Sequence, residues 1–114
     1  MMKIKYSPNG PGKKPAPKNW EVWLADAPFG PEGKTKRCPV AVGKRTSAGW
    51  TVYEIIPSGE RGGKDAVISD LMKAGQDRPS AVHVVPATVQ QNAFVQRMGE
   101  LAEADIGKVL AGLR

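Results

Sequence analysis

The sequence predicts a mainly β fold with some α: a small, strongly bent antiparallel sheet or barrel capped by helices. Three observations predict it. The 114 residues make one domain, with room for one modest core. About five short runs rich in β-branched and aromatic residues alternate with loops of Gly, Pro and charge. From residue 88 onward the apolar spacing changes to that of helices, placing them after the strands.

Residues 1–18 carry Lys3, Lys5, Lys13, Lys14 and Lys18 and no acid. Within them, SPNGPGKKPAPK (7–18) is too rich in Pro, Gly and Lys to pack a core, which predicts a flexible basic arm before one domain over 19–114. WEVWLAD (20–26) alternates, with Trp20, Val22 and Leu24 on one face and Glu21, Trp23 and Ala25 on the other, as a strand does. APFGPEGKTKR (27–37) reads as an exposed loop. PVAVG (39–43) is a short central strand, KRTSAG (44–49) a turn, and WTVYEII (50–56) a third strand. PSGERGGKD (57–65) is a Gly-rich loop, AVISD (66–70) a short strand, LMKAGQDRPS (71–80) a connection, and AVHVV (81–85) the last strand. Thr88 then suits an N-cap for a short helix through VQQNAFVQRM that stops at Gly99. Ile106, Val109, Leu110 and Leu113 follow the spacing of a terminal amphipathic helix, with Leu101 ahead of them. Gly107 and Gly112 weaken that helix by up to about 1 kcal/mol each relative to Ala, so tertiary packing must hold it.

The net charge of +6 belongs mostly to the arm, since the rest of the chain is nearly neutral. A basic balance fits nucleic acid or another polyanion, and fits equally a solubilising tail. One cysteine, Cys38, excludes an intramolecular disulfide framework and a Cys-rich zinc site; one histidine, His83, argues against a His-based metal site. No apolar run approaches the ~20 residues that span a bilayer, and MMKIKYSPNG lacks the apolar core of a secretory signal. The expectation is a cytoplasmic protein without metal or cofactor. Gly62-Gly63-Lys64 lacks the first Gly and the Ser/Thr of a phosphate-binding P-loop, and neither a dinucleotide fingerprint nor a GxSxG element occurs.

Strand ends feed loops that carry cations and hydroxyls. Lys34, Thr35, Lys36 and Arg37 form one group and Lys44, Arg45, Thr46 and Ser47 a second. Ser58, Arg61 and Lys64 form a third, with Arg78 and Ser80 beyond. On a curled sheet several of these groups can meet at one rim and hold phosphates. Trp23, Trp50 and Tyr53 can offer faces to single-stranded bases, or can simply be core.

The order of WEVWLADAPFG, GKTKRCPVAV, EIIPSGE, AGQDRPSAVHV and VQRMGELAEADIGKVL resembles the MazF/PemK family of toxin–antitoxin ribonucleases over about residues 20–113. The resemblance implies an SH3-like β-barrel with helices, a homodimer, and a cognate antitoxin that blocks the RNA groove. It also implies metal-independent cleavage of single-stranded RNA, in which the ribose 2′-hydroxyl attacks the neighbouring phosphate to leave a 2′,3′-cyclic phosphate and a 5′-hydroxyl. Such chemistry needs a proton acceptor, a proton donor and cations for the developing charge.

Carried over residue by residue, the resemblance implies Arg37, Ser58 and His83 as catalytic groups, and Lys34, Lys36, Lys44, Arg45 and Arg61 as RNA contacts. Cys38 stands where the family has an Arg before the Pro of the second strand. Arg37 fills that role only if the chain is bulged there or the strand begins at Pro39, because adjacent strand residues face opposite ways. The family Thr that ends the third strand falls on Pro57 or Ser58. Ser80 matches the Ser that leads the fifth strand, and His83 stands where relatives often carry Arg; a histidine there can move protons near neutral pH. Each residue has a plainer role open to it: Arg37 a solvated charge, Ser58 a turn residue, His83 a hydrogen-bonded core group, Cys38 a buried small hydrophobe rather than a nucleophile. Two other functions stay open: a catalytically degenerate relative that binds RNA or an antitoxin, and an unrelated SH3-like adaptor.

Overall fold

The structure, a computed structural model, describes residues 16–58 and 65–114. Its strands are β1 (Glu21–Ala27), β2 (Lys36–Thr46), β3 (Gly49–Pro57), β4 (Asp65–Val67), β5 (Ser80–His83), β6 (Ala87–Val89) and β7 (Phe94–Glu100), followed by one α-helix, α1 (Glu103–Gly112). They form one antiparallel sheet in the order β4-β5-β3-β2-β1-β7, with β6 also paired to β3. Among the described residues β4 does not meet β7, so the sheet bends without closing into a full barrel.

Strand alternation sends apolar residues to both faces and builds two cores. Trp23, Ala25, Ala27, Cys38, Val40, Val42, Trp50, Val52, Val89 and Phe94 pack on one face. Val22, Ala41, Tyr53, Ile55, Val82 and Val84 pack on the other, where α1 adds Val109. Both faces of β3 are buried, which explains why WTVYEII reads as nearly continuous apolar sequence. The central strand is longer than the expected 39–43 because Lys36 and Arg37 pair with Ala27 and Asp26 of β1. Pro39 is tolerated there, opposite Leu24. The strand expected over 66–70 shortens to β4. The described chain also packs before Trp20: Pro17 is buried and its carbonyl accepts a hydrogen bond from Trp50 Nε1.

The helix expected over 89–98 is not formed. A 3₁₀ turn at Gln91–Ala93 leads into β7, which pairs with β1. Thr88 is no N-cap; it pairs with Thr51 across β6 and β3. Tertiary packing overrides the helical propensity of this segment. Phe94 is fully buried and meets both Trp23 and Trp50 edge-on, at 5.8 and 5.9 Å between ring centres. Gly99 is likewise no helix stop. It lies in β7 where a Cβ would stand 2.3 Å from the Lys73 carbonyl oxygen and 2.8 Å from the Ala74 carbonyl carbon. Gly99→Ala must move backbone rather than a side chain, and should cost about 2 kcal/mol in chemical denaturation.

The terminal helix forms, but its inner face differs from the expected stripe. Leu101 and Val109 are buried, whereas Leu110 and Leu113 remain substantially exposed. Asp105 takes an inner place instead. Its carboxylate accepts the backbone N–H groups of Ser69 (2.8 Å) and Asp70 (3.0 Å), and Lys108 Nζ lies 3.4 Å away. Lys108 also donates to the Val67 carbonyl, so α1 is tied to the chain leaving β4. Burial alone would raise the Asp105 carboxyl; the N–H groups of Asp70 and Ser69, with Lys108, instead hold it below the ordinary range. A depressed carboxyl gives stability that is full above its unfolded value and lost as pH falls through its folded value. Asp105→Ala should therefore cost about 2 kcal/mol at neutral pH by leaving two backbone donors unmet. Wild-type and variant melting temperatures should converge as pH drops below about 4.

Candidate functional site

The register of β1 on β2 runs unbroken from Val22 opposite Ala41 to Ala27 opposite Lys36. Neither a bulge nor a strand start at Pro39 turns Arg37 toward the Cys38 face. Arg37 points to the opposite face, where it makes a two-pronged pair with Asp26, its partner across the strands: Nε to Oδ1 at 2.8 Å and the second nitrogen to Oδ2 at 3.1 Å. Lys36, two residues before Cys38, shares the Cys38 face. Its ammonium lies 2.8 Å from Glu54 Oε2, and the Glu54 side chain is 2% exposed. Glu54 occupies the same face of β3 as Trp50 and Val52, a carboxylate in a row of core positions.

Next to it comes β5. Ile55 pairs with Val82, so continuing the register sets Glu54 beside His83. His83 pairs in turn with Asp65 of β4, and its Nδ1 is hydrogen-bonded to Asp65 Oδ1 at 2.8 Å. The His83 side chain is 21% exposed and that of Asp65 6%. Asp65 Oδ2 is buried with no hydrogen-bond partner among the described residues. Lys36, Glu54, His83 and Asp65 thus follow one another across β2, β3, β5 and β4 on one face of the sheet. Burial and the Glu54 carboxylate push the Cys38 thiol up to about 11, so Cys38 is not a thiolate near neutral pH and behaves as a small core residue.

The opposite face holds an open cavity of about 350 Å³. Pro39, Ile55, Pro57, Arg78, Ser80 and Met98 are among its lining. The Ser80 hydroxyl donates to the Arg78 carbonyl, which bends the chain into β5. Ser58 is exposed just beyond β3, its N–H bonded to the Pro79 carbonyl. Arg37 lies two residues along β2 from Pro39 on the cavity's face, and neither Arg37 nor Ser58 is among the residues that line the cavity.

The cations do not meet at a single rim. Lys34, Lys36 and Arg37 lie at one end of β2; Lys44 and Arg45 lie toward the other, roughly 30 Å away along an extended strand. The Arg45 guanidinium sits 4.6 Å over the Trp50 ring. Arg61 and Lys64 lie outside the described residues, as does the arm over residues 1–15. The aromatic faces are not available for bases either: Trp23, Trp50 and Tyr53 are only 4%, 5% and 6% exposed and serve as core. Among the described residues no cluster of three or more His, Cys, Asp or Glu side chains can hold a metal ion, and no helix is long and apolar enough to cross a membrane.

Asp65 and Glu54 were not singled out by sequence. Glu54 left a signal: it is the one charge in WTVYEII, at the parity of buried Trp50 and Val52. Asp65 left none, because its role arises only from the pairing of β4 with β5.

A bent antiparallel sheet with a C-terminal helix, arranged in this order, is also found in a solved structure. The solved structure of the Mycobacterium tuberculosis toxin MazF-mt6 superimposes with a TM-score of 0.63 and 15% sequence identity, covering 82% of this chain and 91% of that one. At that identity the likeness concerns the fold. No protein-family model and no curated protein matches the sequence.

Proposed function

We propose that the chain is the toxin component of a type II toxin–antitoxin pair, a metal-independent endoribonuclease that cuts single-stranded RNA by attack of the 2′-hydroxyl. The observation that carries this reading is the Asp65–His83 pair on a MazF-like fold. A histidine held at Nδ1 by a carboxylate leaves Nε2 free to exchange a proton with a ribose hydroxyl or a leaving oxygen. Its neighbour row contains the ammonium of Lys36, a partner for phosphate charge. The proposal extends to a homodimer, to a cognate antitoxin that covers the same surface, and to RNA contacts from Lys34, Lys36, Lys44, Arg45 and Arg61. The other two catalytic candidates stand apart from this row: Arg37 faces the opposite side of the sheet, paired with Asp26, and Ser58 is exposed just beyond β3.

The test is incubation of the full chain with a long, weakly structured RNA in EDTA, followed by mapping of the new 5′ ends. Discrete cuts with 5′-hydroxyl ends are expected. RNA that stays intact but is bound would favour the degenerate relative, which the departure at Cys38 specifically suggests.

A further inference from the structure

We propose that this chain carries out RNA cleavage with a lysine-based site that spans four strands. Lys36, clamped by the buried Glu54, neutralises the scissile phosphate, and Asp65 fixes His83 in the tautomer that accepts the proton of the 2′-hydroxyl. The inference rests on the ribonuclease reading and deepens it by replacing Arg37 with Lys36 and adding Glu54 and Asp65.

Three observations converge on it. The β1–β2 register turns Arg37 away from the Cys38 face and leaves Lys36 as the cation that meets Glu54 there. Glu54 is a carboxylate 1% exposed within a sheet, and its ion pair at 2.8 Å fixes the end of an otherwise flexible four-carbon stem. The Asp65–His83 bond at 2.8 Å uses Nδ1; an ionised carboxylate only accepts, so the proton of the uncharged ring sits on Nδ1 and the lone pair on Nε2. Adjacent strands are ~4.8 Å apart, so Glu54, His83 and Asp65 span about 10 Å. A phosphate and its adjoining ribose fit that span.

The step balances without a further reactant. The 2′-oxygen forms a bond to phosphorus and its proton passes to His83 Nε2. The bond from phosphorus to the 5′-oxygen breaks, and that oxygen takes a proton from water. The charge gathered on the non-bridging oxygens faces the Lys36 ammonium. Lys36 and His83 are the catalytic residues; Glu54 and Asp65 are positioning residues.

His83 is the sole histidine of the chain, so its imidazole nitrogens give an unambiguous ¹⁵N spectrum. Spectra of the full chain, recorded well above the ordinary histidine range, should show the Nδ1–H tautomer in the wild type. Asp65→Asn, whose amide can donate to Nδ1, should move the population to Nε2–H. The same variant should lose at least tenfold in kcat with KM within twofold. Lys36→Met should lose about 100-fold in kcat, and Lys36→Arg should recover most of it. An Nε2–H tautomer in a wild type that cleaves RNA, or full kcat in Lys36→Met, overturns the inference and leaves the ribonuclease reading standing. A wild type that cleaves no RNA, whatever its tautomer, overturns both.

Discussion

His83→Asn is expected to slow RNA cleavage by about 10²–10⁴-fold, the range for removing a positioned proton-transfer group. The choice of asparagine follows from the structure. Asp65 is 6% exposed, and His83 Nδ1 is the partner its carboxylate has among the described residues. Alanine would strand that carboxylate without a donor, at a cost of several kcal/mol. The resulting unfolding would be mistaken for lost chemistry. The amide nitrogen of asparagine falls close to the position of Nδ1 and keeps a donor for Asp65, while nothing replaces Nε2. Matched melting curves with a lost rate therefore assign His83 to the reaction. An unchanged rate would make it only a structural partner of Asp65.

Phe94→Ala should destabilise the fold by about 4 kcal/mol, near the top of the range for core substitutions. Phe94 is wholly buried and joins two tryptophans that come from different strands, Trp23 on β1 and Trp50 on β3. Its removal leaves a cavity lined by large, rigid rings, which collapse poorly into empty space. It also removes the main apolar anchor of β7, whose Val95, Gln96 and Arg97 are exposed. Urea denaturation should show a much lower midpoint. A loss under 1 kcal/mol would mean that β7 is held mainly by its ladder with β1.

The same residue explains where sequence reading stopped short. β1, β3 and β5 were legible because alternation and β-branched runs are local signals. β7 was not: Gln96, Arg97 and Met98 favour helices in isolation, and the strand exists because it pairs with β1 more than seventy residues earlier, as in the bond from Arg97 to Glu21. The terminal helix was legible from its apolar spacing, yet Asp105 and not Leu110 faces inward, because the two N–H groups at Ser69 and Asp70 need an acceptor. His83 was legible as the lone imidazole of an apolar strand. Its carboxylate partner was not, since that pairing is made by register between two short strands. Whether Arg37 reaches the Cys38 face was a single question of strand parity, which only the unbroken register of β1 on β2 answers.

The central claim is that this sheet cuts RNA through the substrate's own 2′-hydroxyl. The most direct measurement compares two strands of identical, unstructured sequence in EDTA with the full chain, one of RNA and one fully 2′-O-methylated. The account predicts discrete cleavage of the RNA, with 2′,3′-cyclic phosphate ends, and none of the methylated strand. Cleavage of both strands would contradict it, and so would the persistence of both.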